Sequence, residues 1–376
     1  MNKAQGYQQE NGLIPMEKLF RREALQFPRY TLNEPAEMIR LHQNEVLTLD
    51  DEERLEFISE LSRMMLVKGS EAFNTYPSLQ PHGLLRAFAD SLGVDETNVE
   101  VTSGSSQALT LLAEALFAPG RRVAVTSPSF SLYAHLARLY GSEVVDIELD
   151  HNFEFSAQSL FSEQVLQSQV AILCSPNNPT GTVLSYDMIV EFASVFQGVL
   201  IVDEAYFEFF EAQGGESCTQ FATEQTNVIV LRTLSKAWAA AGLRVGALVG
   251  HHEVISLFRA LKPPYSIAWP SEVLATFILN NKALETRKRI KKIVEQVRDL
   301  QCVLSSCSGI DLLPESKANF IFFKTRFADK LDHELNSCGF VVRRYTSGRL
   351  NQCVRISMPS EEHFQKLKES LMRILK

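Results

Sequence analysis

A lysine and an arginine stand eight positions apart, at Lys236 and Arg244, in a segment that also carries two hydroxyl side chains, Thr233 and Ser235. An apolar, β-branched run at residues 227–231 comes just before this segment. Such a run predicts a buried strand, so we expect Lys236 to emerge from a strand end into a pocket. A lysine in a pocket can lose its proton and act as a nucleophile. The segment therefore predicts an amine that holds an aldehyde cofactor and a cation that holds its phosphate.

Three other polar segments each follow an apolar run in the same way. The segment at 102–107, Thr-Ser-Gly-Ser-Ser-Gln, precedes a helical pattern, so its backbone N–H groups could hold a phosphate. The segment at 175–181, Ser-Pro-Asn-Asn-Pro-Thr-Gly, holds a carboxamide between two prolines, as a rigid hydrogen-bond donor for a ring oxygen. Asp203 opens Asp-Glu-Ala-Tyr and would be costly at a buried strand end without a positive partner, such as a protonated pyridine nitrogen.

Each segment also has an ordinary explanation when it is taken alone. The first is a common helix N-cap, the second consists of turn residues, and the third could be a solvated acidic turn. Lys236 could be a surface lysine, and Arg244 could pair with a carboxylate. Ligands gather where the strands of an α/β sheet end, so four such segments at successive strand ends favour one shared site.

The elements that position these segments alternate along the chain. Short apolar runs separated by helical patterns predict an α/β fold with a mostly parallel seven-stranded sheet between helices. These runs are residues 99–101, 122–125, 144–147, 170–173, 199–202, 228–231 and 245–249.

The rest of the chain predicts a smaller α+β domain. A long charged helical pattern extends to Leu304, and a final helix is expected from Glu361. Strands are expected at residues 319–323, 340–343 and 353–357. We therefore expect an N-terminal arm at 1–45 that packs on the small domain or on a partner subunit, a large domain at 46–262 and a small domain at 263–376.

Composition argues against several classes of protein. The chain has 376 residues, of which 45% are hydrophobic, as is ordinary for a packed enzyme. Its formal net charge of -8 gives no electrostatic reason to expect nucleic acid or an anionic membrane as a partner. The basic run at 287–292 is interpreted as the solvated face of an amphipathic helix. No uncharged apolar stretch reaches membrane-spanning length, so we expect a cytoplasmic protein.

Metal, nucleotide and hydrolase motifs are missing from the sequence. The six cysteines are scattered without zinc spacing, and we expect buried, reduced thiols. The pair His251 and His252 is interpreted as a loop that leads into a helix. The chain contains no Gly-x-Gly-x-x-Gly, no Gly-Lys-Ser/Thr phosphate loop and no Gly-x-Ser-x-Gly elbow.

With these motifs, the chain resembles the fold-type I pyridoxal-phosphate (PLP) aminotransferases, and within them the histidinol-phosphate branch. The resemblance runs from about Asn44 to Ile356. It rests on Ser-Pro-Asn-Asn-Pro-Thr-Gly, Asp-Glu-Ala-Tyr and Arg-Thr-Leu-Ser-Lys-Ala-Trp in combination, and residues 232–246 favour this branch over the aspartate and aromatic branches. The resemblance implies the PLP-dependent transferase fold type I and a ping-pong exchange between an amino donor, expected to be L-histidinol phosphate, and 2-oxoglutarate.

The resemblance also implies roles around the cofactor ring. Lys236 would be bonded to the cofactor aldehyde and, once displaced by substrate, would move a proton between the substrate and the cofactor. Asp203 would pair with the protonated ring nitrogen, and Asn178 and Tyr206 would hydrogen-bond the phenolic oxygen. Phe130 would stack on the ring, at a position where the family often has tyrosine.

The cofactor phosphate would be held by residues from two subunits. Ser105 and Ser106 would supply backbone and hydroxyl groups, and Ser235 and Arg244 would supply hydrogen bonds and charge. Tyr76 resembles the tyrosine that reaches the phosphate from the neighbouring subunit. The resemblance therefore implies a homodimer with shared active sites.

On the substrate side, Arg355 matches the arginine that binds the substrate anion, and Arg343 matches a second cationic position of the histidinol-phosphate enzymes. Histidinol phosphate has no carboxylate, so its phosphate is the anion that these arginines would hold. Asn44 corresponds to the Asn-Glu segment at the pocket mouth, although Val-Leu follows here in place of Asn-Pro. An N-terminal tyrosine that touches substrate in the family would be Phe27 or Tyr30 here.

Three other interpretations stay open at this point. One is an amino-acid aminotransferase of aromatic or broad specificity that uses Arg355 for an α-carboxylate. Another is a lyase of the threonine-phosphate decarboxylase kind on the same fold. A transcriptional regulator with an aminotransferase-like body is disfavoured, because the first 45 or so residues show no helix-turn-helix pattern or basic stripe.

Overall fold

The computed structural model describes residues 16–19, 21–25, 37–47, 49, 51–69 and 71–375 of the chain. The strands of this part are β1 Ile39–Arg40, β2 Val99–Thr102, β3 Arg122–Ser127, β4 Glu143–Glu148, β5 Val170–Cys174, β6 Val199–Asp203, β7 Val228–Thr233, β8 Gly246–Val249, β9 Ile310–Leu312, β10 Phe320–Thr325, β11 Phe340–Val341, β12 Arg343–Arg344 and β13 Cys353–Ser357.

The α-helices of the same part are α1 Met16–Leu19, α2 Arg22–Leu25, α3 Asp51–Lys68, α4 Glu71–Asn74, α5 His82–Leu92, α6 Gly104–Leu116, α7 Leu132–Leu139, α8 Ala157–Leu160, α9 Glu163–Leu166, α10 Tyr186–Val195, α11 Phe207–Glu211, α12 Thr219–Glu224, α13 His252–Leu261, α14 Trp269–Asn281, α15 Ala283–Ser305, α16 Ala328–Ser337 and α17 Glu361–Leu375. Short 3₁₀ turns occur at Glu96–Asn98, Ala241–Leu243 and Gly348–Leu350.

The larger sheet has seven strands in the spatial order β2-β8-β7-β6-β5-β3-β4. The strands from β7 to β4 pair in parallel, and β8 is antiparallel to both of its neighbours, β2 and β7. Strands β5 and β7 are buried at every residue, because a sheet covered on both faces needs continuous apolar runs rather than alternation. The predicted mostly parallel seven-stranded sheet is confirmed.

Apolar clusters cover both faces of this sheet. Val228 and Val230 of β7 belong to one cluster, whereas Ile229 and Leu231 belong to the other, because successive side chains of a strand point to opposite faces. Helix α6 supplies much of the second cluster, which also includes Tyr133 of α7. The sheet is therefore the central layer of an α/β sandwich, as its sequence pattern predicts.

A smaller unit follows the large sheet. Strands β12-β13-β10-β9 form an antiparallel sheet in that order. Residues from α15, α16 and α17 pack with these strands in a third cluster, which includes Phe320, Phe323 and Ile356. Strand β1 of the predicted N-terminal arm pairs in parallel with β11. The boundaries at 45/46 and 262/263 stay predictions.

Two predicted elements are divided in the structure. The strand expected at 340–343 becomes β11, which pairs with β1, and β12, which pairs with β13, because the chain changes sheets at the buried Val342. The long charged helix is divided into α14 and α15 at Lys282, where two poor helix formers, Asn280 and Asn281, precede a side chain that pairs with Glu56 of α3.

Two expectations about side chains are wrong in part. Arg289 of the basic run is buried and pairs with Glu53 of α3, since that helix covers part of the face expected to be solvated. Cys174, Cys218 and Cys353 are buried as expected, but Cys302 lies on the exposed side of α15.

Membrane-spanning helices and clusters of metal-binding side chains are both missing from the described residues. No helix in this part of the chain is long and apolar enough to cross a membrane. Within the same residues, no group of three or more His, Cys, Asp or Glu side chains could hold a metal ion. Phe27 and Tyr30, expected near the substrate, lie outside the described residues.

Candidate active site

The four polar segments meet at one cavity of about 500 Å³ at the carboxyl ends of β2, β5, β6 and β7. Of the predicted site residues that the structure describes, all except Tyr76 line this cavity: Asn44, Ser105, Ser106, Phe130, Asn178, Asp203, Tyr206, Ser235, Lys236, Arg244, Arg343 and Arg355. Parallel strands end at the same edge of a sheet, so residues far apart in sequence meet there.

Lys236 stands in a tight loop three residues beyond the end of β7. Its carbonyl accepts a hydrogen bond from the Ala239 N–H at 3.0 Å, and its Nζ donates to the Gln43 carbonyl at 3.0 Å. Burial, and then the nearby Arg355 cation, lower the pKa of Lys236 to about 8. A substantial fraction of this amine is therefore neutral near neutral pH, as a nucleophile requires.

Asp203 is the last residue of β6 and is only 4% exposed. Its Oδ2 accepts from the Tyr133 hydroxyl at 2.7 Å, and its Oδ1 accepts from the Ala205 N–H at 3.0 Å. Burial raises the pKa of Asp203, and these hydrogen bonds oppose the rise. A cation placed against this carboxylate would favour its charged form, which is the environment that a protonated ring nitrogen needs.

Phe130, Asn178 and Tyr206 line the same cavity as Asp203. The Asn178 Oδ1 accepts from Arg355, so the Nδ2 group is the part of this amide that could donate to a ligand. The Tyr206 hydroxyl accepts from the Asn44 Nδ2 at 2.8 Å, and burial raises the pKa of Tyr206. Tyr206 is therefore protonated and can donate its own proton to an oxygen of a ligand.

A cation and a helix N-terminus form one end of the cavity. Ser105 and Ser106 lie in the first turn of α6, whose backbone N–H groups have no partner within the helix. The Arg244 Nη1 donates to the Ser235 Oγ at 3.3 Å. Gly104 has φ +70°, and a Cβ there would lie 2.6 Å from the Arg244 Nη2, so glycine lets the guanidinium approach the helix start. This arrangement suits a phosphate group.

Two further arginines, Arg343 and Arg355, line the cavity. Arg343 of β12 and Arg355 of β13 face each other in the antiparallel register. The Arg355 Nη2 donates to the His42 carbonyl at 2.6 Å, and its buried Nε has no hydrogen-bond partner in the described part of the chain. The Arg343 guanidinium lies 5.6 Å from the centre of the Tyr345 ring. Two neighbouring cations beside a cavity favour an anionic ligand.

Asn44 and Tyr76 differ from the other predicted residues. Asn44 has φ +55° and is held by hydrogen bonds to Tyr206, Ser357 and Asn319, so its side chain supports the wall of the cavity. Tyr76 is 79% exposed and stacks on Tyr265 with 4.7 Å between ring centres, away from the cavity of its own chain.

The sequence analysis missed a buried charged cluster under the Lys236 loop. Arg232 donates to the Glu204 Oε2 at 2.9 Å and to the Glu208 Oε1 at 3.0 Å. The Glu208 Oε1 also accepts from the Trp238 indole N–H at 3.2 Å, two residues after Lys236. An arginine in a strand that is otherwise apolar was the available signal, because such a charge needs partners. Tyr133 was missed as well, and its apolar helical surroundings gave no signal.

The residues of the cavity fit PLP. The Lys236 amine, with its lowered pKa, suits the aldehyde, and the buried Asp203 carboxylate suits the ring nitrogen. Arg244, which lies against Gly104 at the N-terminus of α6, suits the phosphate. These groups belong to separate strands, helices and loops. They meet at one cavity because of the fold, and not because they are close in sequence.

Comparisons with known proteins agree with this assignment. The family model described as aminotransferase class I and II matches residues 36–371. A histidinol-phosphate aminotransferase of Thermoanaerobacter sp. (strain X514) is 32% identical over 362 residues, which cover 96% of this chain and 99% of the relative.

Two solved structures show the same fold. The histidinol-phosphate aminotransferase of Sinorhizobium meliloti in complex with pyridoxal-5'-phosphate has a TM-score of 0.77 at 20% identity, and the match covers 90% of each chain. The L-threonine-O-3-phosphate decarboxylase of Porphyromonas gingivalis has a TM-score of 0.75 at 22% identity, covering 90% of this chain and 99% of that one.

Proposed function

This chain belongs to the class I and II aminotransferases and is a PLP-dependent transaminase, and on that premise we propose that it moves an amino group from L-histidinol phosphate to 2-oxoglutarate. The reaction would run as two half-reactions, in which the donor product leaves before the 2-oxo acid binds. A cytoplasmic location is part of the same proposal.

The facing arginines, Arg343 and Arg355, support histidinol phosphate as the amino donor. Arg343 and Arg355 lie opposite each other on neighbouring strands, and like charges so placed repel. A phosphate dianion between them would neutralise both charges and accept several hydrogen bonds. Histidinol phosphate carries its only anion as a phosphate, whereas an ordinary amino acid would bring one carboxylate to two cations.

Each residue of the cavity has one task in this proposal. PLP, when bound, supplies an electron sink for the negative charge that develops at the substrate carbon. Asp203 would hold the ring nitrogen protonated, and Tyr206 and Asn178 would donate to the ring oxygen. Phe130 would lie against the ring face.

Lys236 would carry the proton. Its amine, with a pKa lowered to about 8, would accept a proton from the substrate α-carbon and return it to the cofactor carbon C4′. The hydrogen bond from the Ala239 N–H to the Lys236 carbonyl would fix the loop, so that the amine stays within reach of the substrate carbon and the cofactor carbon. Replacing this lysine by Lys236→Ala should abolish turnover and covalent retention of the cofactor, while far-ultraviolet circular dichroism stays unchanged.

The phosphate of the cofactor would be held where Arg244 lies against the start of α6. Arg244 would supply charge, Ser235 a hydroxyl, and Ser105 and Ser106 the first-turn N–H groups of α6. Tyr76 would complete this cradle from the partner subunit.

A homodimer with shared sites is part of the proposal, and the exposure of Tyr76 supports it. Leu66, Phe73 and Tyr76 are 86%, 69% and 79% exposed on neighbouring segments, which is the kind of apolar surface that a second subunit covers. Inactive Lys236→Ala and Tyr76→Ala chains should recover activity when they are unfolded and refolded together, because each mixed dimer would contain one intact site. No recovery would contradict the shared site.

A donor screen tests the substrate. The holoenzyme is mixed with histidinol phosphate, phenylalanine, tyrosine or threonine phosphate without an acceptor, and the visible absorbance of the bound cofactor is followed. We expect histidinol phosphate to remove this absorbance fastest and 2-oxoglutarate to restore it. Faster loss with the aromatic amino acids would select the broad-specificity alternative, and carbon dioxide release from threonine phosphate would select the lyase.

Arg343→Gln provides the matched variant for this screen. It should raise KM for histidinol phosphate while leaving the slow half-reaction of phenylalanine unchanged, because only the phosphate needs the second cation. Arg344→Gln, one position along β12, is the control, since Arg344 pairs with Asp329 and does not line the cavity. Equal losses for both donors would contradict the assignment of Arg343 to the phosphate.

A further inference from the structure

Tyr133 lies in the wall of the cavity and touches the residue assigned to the ring nitrogen. It belongs to α7 and is 1% exposed, so its hydroxyl must find a partner inside the protein. That partner is the Asp203 Oδ2, at 2.7 Å, although the two residues are 70 positions apart in sequence.

The raised pKa of Tyr133 decides which of the two groups in this hydrogen bond holds the proton. Burial, and then the charge of Asp203, raise the pKa of Tyr133 well above its ordinary value. The phenol therefore stays protonated and donates, and Asp203 accepts. The other carboxylate oxygen accepts from the Ala205 N–H at 3.0 Å. Two donors from different elements thus prevent rotation of the Asp203 carboxylate.

The aromatic ring of Tyr133 makes a second contact with the site. It meets the Phe130 ring edge to face, with 5.5 Å between ring centres and an angle of 87° between ring planes. Such perpendicular pairs are favoured by the charge distribution of aromatic rings. One buried side chain therefore touches both Asp203, assigned to the ring nitrogen, and Phe130, assigned to the ring face.

We propose that Tyr133 is a positioning residue of the cofactor site, whose hydroxyl holds Asp203 toward the ring nitrogen and whose ring sets the tilt of Phe130. The inference rests on the proposed function only through the assignment of these two residues to the cofactor ring. It does not depend on which amino donor the enzyme uses.

The test separates positioning from simple packing. Tyr133→Phe keeps the ring and removes only the hydroxyl, and Tyr140→Phe, just beyond the end of the same helix, removes a hydroxyl that does not reach the cavity. For each variant we would measure the PLP dissociation constant by titrating apoprotein, the visible spectrum of the bound cofactor, kcat/KM and the unfolding midpoint.

We expect Tyr133→Phe to weaken PLP binding roughly tenfold or more and to alter the spectrum of the bound cofactor, because an Asp203 carboxylate that is free to turn loses much of its charge-assisted contact with the ring nitrogen. Tyr140→Phe should leave all four measurements unchanged. An unchanged dissociation constant and spectrum for Tyr133→Phe, with only a lower unfolding midpoint, would reduce Tyr133 to a packing residue.

A double-mutant cycle with Asp203→Asn checks that the effect passes through the carboxylate. If Tyr133 acts by holding Asp203, then Tyr133→Phe should change PLP affinity by less than about twofold in the Asp203→Asn background. The same roughly tenfold loss in both backgrounds would overturn the inference. These titrations contain no amino donor, so a failure of the histidinol-phosphate proposal would appear in the donor screen and leave this result intact.

Discussion

Capture of the cofactor aldehyde by apoprotein should depend on pH in a way that reports directly on Lys236. Only a neutral amine attacks an aldehyde, so the rate follows the deprotonated fraction of this side chain. Burial and the Arg355 cation lower the pKa of Lys236 to about 8. The protein should therefore reach half of its full capture rate near pH 8, well below the pH at which an ordinary lysine does.

The size of the effect follows from the two pKa values. At pH 7, an amine with a pKa of about 8 is neutral in about one molecule in ten, whereas one at the ordinary value of 10.5 is neutral in about one in three thousand. The site therefore raises the population of the reactive form about 300-fold at this pH.

The assay is stopped-flow absorbance on apoprotein mixed with PLP between pH 6 and pH 10, with Nα-acetyl-lysine as the reference amine. The reference shares the titrations of PLP itself, so the ratio of the two rates isolates Lys236. We expect this ratio to be constant below about pH 8 and then to fall about tenfold for each further pH unit. A ratio that stays constant up to pH 10 would show that Lys236 titrates as an ordinary lysine.

Arg355→Met tests the cause of the lowered pKa. Removing this cation takes away a charge that opposes protonation of Lys236, so the fall in the ratio should begin at higher pH. Arg344→Met is the control, since that arginine is directed to Asp329 and is absent from the cavity wall. The same shift in both variants, or none in Arg355→Met, would show that this charge does not act on Lys236.

Two further predictions concern stability. Arg232→Met leaves Glu204 and Glu208 buried without their cation and should lower the free energy of unfolding by about 3–5 kcal/mol, measured by urea denaturation; a loss below about 1 kcal/mol would refute the cost assigned to the unpaired carboxylates. Gly181→Ala should cost at least about 1–2 kcal/mol from its φ of +76° alone, and more because the added Cβ would lie 2.9 Å from the Ser316 Cα; a variant as stable as the parent would contradict this packing.

The residues assigned to the cofactor could be located from the sequence because they lie at or after strand ends. A buried parallel strand is a short apolar run, and the residue after its carboxyl end lies at the functional edge of the sheet. Asp203 ends its strand, and Lys236 and the segment containing Asn178 follow theirs within a few residues, so finding the apolar runs located all three. The strand ends observed here differ from the predicted ones by one or two residues, which leaves the order of the polar segments unchanged.

Contacts between distant elements could not be predicted in this way. Tyr133 sits in an amphipathic helix pattern that any packed helix would show, and nothing in its neighbourhood indicates that its hydroxyl meets Asp203. The division of the strand at 340–343 has a similar origin, since Val342 is as apolar as the two residues before it and only the partners β1 and β13 decide where each pairing ends. Such choices are made by tertiary packing rather than by local propensity.

The same difference explains why the cofactor is better determined than the substrate. Most of the residues assigned to PLP lie at the carboxyl ends of strands of one sheet, which a repeated sequence pattern predicts. The residues assigned to the donor are Asn44 after β1 and the arginines of the paired strands β12 and β13, and their place beside the large sheet depends on how the smaller unit packs against it. Arg355 links the two sets, because it contacts Asn178 on the cofactor side and faces Arg343 on the donor side. A change of donor that moved Arg355 would therefore also change the hydrogen bonding of the amide assigned to the cofactor ring.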